Sequence, residues 1–232
     1  MILPGRAHIG HIFHYVGRPL ALLFGWDVLV TAGYLLVVHN RLDFPTALPL
    51  TLLGSAVAVY LSFRNTTAYA RWWEGRTLWG AVVNHSRSFG REVKMFLAAD
   101  RSGLREELIH RHIAYVHALR LHLRRQAPWE ELEPRLAADE IERLRAVANV
   151  PAAILERNGR RLAELGALDS MALSSLERSL VELTNAQGGL ERIKNTPLPQ
   201  QYATYPVLFT HGFCLILPLG LVESLGIYTP LG

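Results

Sequence analysis

The charges of this chain are confined to its middle. All but Arg6, Arg18 and Arg41 of the 24 Lys and Arg, and all but Asp27, Asp43 and Glu223 of the 20 Asp and Glu, lie between residues 64 and 194. The two ends are nearly bare of charge and hold three long apolar runs: PLALLFGWDVLVTAGYLLVV (19–38), PTALPLTLLGSAVAVYLSF (45–63) and YPVLFTHGFCLILPLGLVESLG (205–226). Twenty helical residues rise about 30 Å, the thickness of a bilayer's hydrocarbon core. Backbone in lipid must satisfy its own hydrogen bonds, so all three runs are predicted to be membrane-crossing helices. Pro218 predicts a kink or break in the third. The short link His39–Phe44 makes the first two a hairpin. This pattern excludes a disordered chain, a collagen-like repeat and a simple soluble globule.

The charged middle reads as helical. Apolar residues recur at three and four spacing in 66–98 (Trp72, Trp79, Val82, Val83, Phe89, Val93, Phe96) and in 104–124 (Leu104, Leu108, Ile113, Val116, Leu119). Ala127-Pro128-Trp129 predicts a turn. Further helices are expected over 137–149, 151–165 with Pro151 in the first turn, and 170–192 after a break at Gly166 and Asp169. Asn195-Thr196-Pro197 reads as the start of the third apolar helix. No strand-like alternation survives. The expected fold class is all-α: membrane helices with a large cytoplasmic helical region. The expected divisions are an N-terminal segment 1–18, a membrane hairpin 19–63, a helical region 64–200 and a membrane helix 201–226.

Arg64, Arg71, Arg76, Arg87 and Arg91 follow the second run closely, and Arg6 and Arg18 precede the first. The positive-inside rule therefore puts the N-terminus and residues 64–200 on the cytoplasmic side. The surplus of positive charge has a topological origin, and no nucleic-acid motif accompanies it, so a nucleic-acid partner is not expected. MILPGRAHIGHIF lacks a signal-peptide pattern, so the first run is expected to stay in the mature protein. One cysteine, Cys214, excludes an internal disulfide framework.

Chemistry-bearing motifs are sparse. There is no Gly-rich phosphate loop, nucleophile elbow or Cys pair of metal spacing, so neither an enzyme nor a cofactor is expected. His110, His112, His117 and His122 share one predicted helix, but no two are three or four apart; they read as solvated surface histidines rather than metal ligands. His8, His11 and His14 are three apart, with no carboxylate or cysteine to complete a set. Asp27 lies inside a membrane run, where a carboxylate is costly. It is either a pore or relay residue or a structural group paired with an Arg or a hydroxyl. Glu223 poses the same choice.

Ser55, Val59 and Phe63 stand at i, i+4 and i+8 on the second run and share one face of a helix. Gly54, Ser55, Ala56 and Ala58 make much of that helix small. The face suits either helix packing or the lining of a narrow apolar pore that gates by expelling water.

The stretch Phe63-Arg64-Asn65-Thr66-Thr67-Ala68-Tyr69-Ala70-Arg71-Trp72-Trp73-Glu74-Gly75-Arg76, followed by Leu78-Trp79-Gly80, resembles the bestrophin family, in particular its bacterial members. So does Gly188-Gly189-Leu190-Glu191-Arg192-Ile193-Lys194-Asn195-Thr196-Pro197-Leu198-Pro199. The resemblance marks Arg64, Asn65, Arg71, Trp72, Trp73 and Glu74 as family-motif residues. It implies a homopentameric ion channel in the bacterial inner membrane, partnered with itself and the lipid bilayer, that passes small monovalent ions. Animal relatives mainly pass chloride and some bacterial ones favour small cations; the expectation here leans to anions.

The resemblance places a hydrophobic neck at Ser55, Val59 and Phe63, with Ser55 departing from the usual bulky residue. It places a cytosolic aperture at Met171, or at Ala172 if the register slips. It also implies a fourth membrane helix and an acidic, calcium-binding segment, for which this sequence supplies no residues before Gly232; no calcium or other metal site is placed. The competing class is a non-conducting, membrane-anchored helical scaffold that binds a protein partner. Trp72, Trp73 and Trp79 are expected to fill a core or a subunit contact, the core by preference.

Overall fold

A computed structural model of the chain describes residues 9–38, 50–164, 166 and 168–231. Every regular element among the described residues is helical. The order is α1 (Ile9–Gly33) running into a π-helical turn (Tyr34–Val38), α2 (Leu50–Phe96), α3 (Ser102–Leu123), α4 (Trp129–Leu132), α5 (Ala138–Arg145), α6 (Val150–Glu164), α7 (Ser170–Asn195) and α8 (Gln200–Leu225). Short 3₁₀ turns occupy Ala99–Arg101 and Gly226–Leu231. The all-α expectation holds. The expected link His39–Phe44, residues 1–8 of the segment 1–18 and the first residues of the run 45–63 lie outside the described residues.

The chain divides into two compact units, Met1–Thr67 with Leu198–Gly232, and Ala68–Pro197. Helix α2 contributes to both.

The first unit is apolar outside as well as inside. Gly17–Leu36 and Gln200–Pro230 are long and apolar enough to cross a membrane. Leu22, Leu36 and Leu208 lie open on its surface, the reverse of what water would favour. Val30 and Thr31 of α1 and Val222 of α8 are buried. The indole N–H of Trp26 donates to the carbonyl of Leu215 at 3.0 Å, tying α1 to α8. Pro218 does not break α8, which continues through both Pro206 and Pro218. A proline removes only one backbone donor, and a helix in an apolar setting has no competing acceptor to unwind toward.

The second unit has a conventional core. Val82, Phe89 and Val93 of α2, Leu97 just after it, Leu108, Tyr115 and Leu119 of α3, Ile154 and Leu162 of α6, and Leu176 and Leu183 of α7 are almost wholly buried. Each set follows helical spacing, so each helix turns one stripe inward. Full burial of such a side chain stabilises by about 1.5–3 kcal/mol.

Helix ends follow local chemistry. Asp169 Oδ1 accepts the N–H of Met171 at 2.8 Å and starts α7. Asn149 Oδ1 accepts the N–H of Ala152 at 3.2 Å and starts α6. That cap explains why α5 ends at Arg145 rather than at 149: residues 146–149 form the turn into the next helix. The expected turn at 127–129 passes directly into α4, with Glu130 and Glu131 at its positive end. Asn195-Thr196-Pro197 is a helix end rather than a start. Arg192 and Lys194 complement the last turn of α7, and Pro199 precedes α8.

Candidate functional site

Within the first unit, α2 packs on α8 through one face and leaves another free. A cavity of about 360 Å³ separates Leu53, Ala56, Val57 and Tyr60 from Phe209 and Phe213. The Tyr60 and Phe209 rings are 5.3 Å apart. Gly54 lets Phe213 come close: a Cβ there would stand 3.3 Å from the ring. Ser55, Val59 and Phe63 lie on a different face. Val59 is 52% and Phe63 61% exposed. The Ser55 hydroxyl donates to the Leu52 carbonyl at 2.8 Å, so it is engaged by its own helix. The stripe is uncharged, and no described side chain of the chain covers it.

The Asp27 carboxylate has no hydrogen bond or ion pair among the described residues. The Thr31 hydroxyl donates at 2.7 Å to the Asp27 backbone carbonyl instead. Glu223 is exposed.

The two sequence motifs, distant along the chain, meet in the second unit. The Arg71 guanidinium donates to the Ile193 carbonyl. Glu74 pairs with Arg192. The methyl groups of Leu78 fill the space over Gly189, where a Cβ would stand 2.8 Å from Leu78 Cδ2. Lys194 Nζ donates to the His122 carbonyl at 2.7 Å and carries the link on to α3. Arg64 is half-buried and Asn65 exposed.

Trp72 and Trp73 are not core residues: each is about half exposed, 52% and 55%, and with Tyr69 they form a surface aromatic cluster with centroids 5.7–6.4 Å apart. Of these three tryptophans, Trp79 packs against the core. The reason is helix phase. The inward face of α2 runs through Arg71, Leu78, Val82, Phe89 and Val93, and residues 72 and 73 lie about 80° and 180° around the helix from Val82.

Met171, in the first turn of α7, is 76% exposed, whereas Ala172 is 8% exposed and packs inward. Of the two, only Met171 offers a side chain to solvent.

The second unit also holds buried charges that sequence patterns did not reveal. Arg111 grips Glu140 through two bonds, Nε–Oε1 at 2.8 Å and Nη2–Oε2 at 2.9 Å. Glu107 accepts from both Arg111 and Arg161. Burial raises the Glu107 carboxyl's hold on its proton, but the bonds from Arg161 and Arg111 outweigh it, and its pKa lies below the ordinary range. Glu92, also buried, accepts from Ser179 at 2.8 Å and Ser175 at 3.2 Å.

The histidines of α3 are not uniformly solvated. His117 pairs with Glu131, His122 lies 3.8 Å from Glu191, and His112 is buried between Phe89 and Tyr115. His112 sits one turn after Leu108 on the inward stripe, which overrides its polarity. His8 and the side chains of His11 and His14 lie outside the described residues.

These features define an all-α membrane protein in which a helix with an unpartnered apolar stripe continues into a motif-bearing helical unit. Residues 6–232 match the family described as Bacterial/Fungal Bestrophin protein, and the chain belongs to that family. A voltage-dependent anion channel-forming protein of Salmonella typhi is 37% identical over 242 residues, covering 99% of this chain and 78% of the relative. One of Ralstonia nicotianae is 40% identical over 189 residues, covering 78% of this chain. The match spans 61% of that relative's length. The crystal structure of a bacterial bestrophin homolog from Klebsiella pneumoniae superposes with a TM-score of 0.87 at 27% identity, over 94% of this chain and 81% of its own. The named relatives are channel-forming proteins, not enzymes.

Proposed function

We propose that this chain is one subunit of a homopentameric channel that passes small monovalent ions, chloride and other anions in preference to sodium. Ser55, Val59 and Phe63 form its hydrophobic neck and Met171 its cytosolic aperture. The observation that carries this reading is the stripe on α2, uncharged, exposed and uncovered, in a chain whose relatives are named as anion channel-forming proteins.

A single chain with three apolar helices cannot enclose water, but closed rotational symmetry can surround an axis with copies of one helix. Rings of Val59 and Phe63 then make a constriction that conducts when it widens or wets. An uncharged neck cannot select by sign, so selectivity falls to vestibule charges and helix ends. The arginines following Phe63 support a multi-pass placement in the bacterial cell membrane, with the N-terminus and residues 64–200 in the cytoplasm.

Two measurements on purified protein test this. Native mass spectrometry is expected to find five chains per particle; monomers would refute the channel. Reversal potentials in planar bilayers under a chloride gradient are expected to lie toward the chloride equilibrium potential. A potential on the cation side would overturn the anion preference.

A further inference from the structure

The chain leaves an aromatic patch of its second unit uncovered. Tyr69, Trp72 and Trp73 stand at i, i+3 and i+4 on one face of α2, each more than half exposed, with their rings in mutual contact. Arg76 extends the same face by one turn; it too is exposed and has no ion pair among the described residues. Aromatic side chains carry a large apolar surface, and a contiguous exposed patch of them marks a contact with another body. Trp and Arg are also the residue types that most often anchor protein–protein contacts.

Helical phase says which body. Helix α2 is unbroken from Leu50 to Phe96. With Val59 at the centre of the proposed neck face, Trp73, Tyr69, Arg76 and Trp72 lie about 40°, 80°, 100° and 140° around the helix to one side. The residues that hold α7 lie on the other side: Glu74, Leu78 and Arg71 at about 60°, 100° and 120°. The neck face thus has an aromatic flank and an α7 flank. In a ring of subunits whose neck faces point at the axis, these flanks face the two neighbours. Contacts in such a ring are heterologous, so the aromatic flank of one copy meets the α7 flank of the next. Rotation about an axis along α2 keeps each residue at its own height. At the height of Trp73 the α7 flank carries Arg192, which is largely exposed and paired with Glu74. A guanidinium over an indole face is held by the ring's quadrupole. Arg76 stands within about 3 Å of the height of Glu74, so the next copy brings it a carboxylate.

We infer that Tyr69, Trp72 and Trp73 dock on the α7 edge of a second copy of this chain, with Arg192 of that copy over the indoles and its Glu74 beside Arg76. The inference rests on the proposed ring of subunits and adds which surfaces meet in it. The test uses the full chain in detergent, with Cys214→Ala so that introduced cysteines alone react. Trp72→Cys and Arg192→Cys in one chain, treated with a short bismaleimide, are expected to give a ladder of linked species up to the pentamer. The two substitutions in separate, co-expressed chains should stop at the dimer, and either alone should give no product. In native mass spectrometry, Trp72→Ala with Trp73→Ala should raise the concentration at which the oligomer dissociates by at least about tenfold. Arg192→Gln, at an exposed site that spares the fold, should raise it by about fivefold. Five-chain particles that give no ladder, or whose assembly is unmoved in both variants, would overturn this contact and leave the channel reading standing. Single chains would overturn both. Aromatic rings also settle at membrane surfaces. Quenching of Trp72 and Trp73 emission in vesicles of brominated phosphatidylcholine, taken as the difference from Trp72→Phe with Trp73→Phe, would give this face to lipid and overturn the contact.

Discussion

Arg71 on α2 donates its guanidinium to the backbone carbonyl of Ile193 on α7, joining residues 122 apart in the chain. Glu74 and Arg192 close a second link beside it. Together they seal the Arg71-Trp72-Trp73-Glu74 segment against the segment that follows Gly189. A hydrogen bond from a charged donor contributes about 1.5–3 kcal/mol. Arg71→Ala is expected to lower stability by about 2 kcal/mol, read as a lower thermal midpoint in detergent. Glu74→Ala, at a more exposed pair, should cost less than about 1 kcal/mol. Equal losses would show that the carbonyl contact is not the stronger tie.

The Arg111–Glu140 pair predicts a larger effect. Both side chains are nearly buried, and Arg111 retains only the peripheral Glu107 when Glu140 is removed. Removing one partner of a buried pair costs about 3–5 kcal/mol, because the other charge is stranded. Glu140→Ala should therefore destabilise far more than Asp139→Ala, whose partner Arg143 is exposed. Denaturant unfolding of the two variants checks this, and a Glu140→Ala loss no greater than that of Asp139→Ala would refute it.

His112 makes the second unit sensitive to acid. Its pKa is depressed from 6.5 to about 4 by burial. The unfolded chain therefore binds a proton on this ring before the folded chain does. Stability is fully present above pH 6.5 and declines as pH falls toward 4, by roughly 3 kcal/mol in all at 1.36 kcal/mol per unit. Glu107, its pKa lowered on balance, adds a further loss below the ordinary carboxylate range. Unfolding free energy measured against pH should show the decline, and His112→Leu should flatten its upper part. A slope between pH 6.5 and 4 unchanged in His112→Leu would remove His112 as its origin.

Much of this architecture was legible in the chain, for physical reasons that also mark where legibility ends. Confinement of charge to residues 64–194 implied apolar helices at both ends, since lipid leaves helices few alternatives. The three and four spacing through Val82, Phe89 and Val93 picked out a buried stripe. The same spacing did not separate Trp72 from that stripe, although it is the neighbouring Arg71 that faces α7. The spacing of the histidines among themselves says nothing of burial; His112 shares the phase of Leu108 and Tyr115 and is buried with them. Arg111–Glu140 and Arg71–Ile193 join residues far apart in the chain, and no local period encodes such pairs. Both family motifs were visible as words, but their meeting across α2 and α7 was not.

Met171 stands exposed at the capped start of α7. If it forms the aperture, Met171→Ala should widen the exit and relax discrimination among anions of different size. The permeability series from bi-ionic reversal potentials is expected to flatten; an unchanged series would place the aperture elsewhere.

The proposed neck is tested most directly by single-channel recording of Val59→Ala and Phe63→Ala beside the unaltered protein in planar bilayers. Truncating a ring of apolar side chains lowers the cost of wetting the constriction. Both variants are expected to show higher conductance or open probability, with Phe63→Ala, which removes the larger side chain, at least equal to Val59→Ala. Currents indistinguishable from the unaltered channel in both variants would mean that a different segment walls the pore.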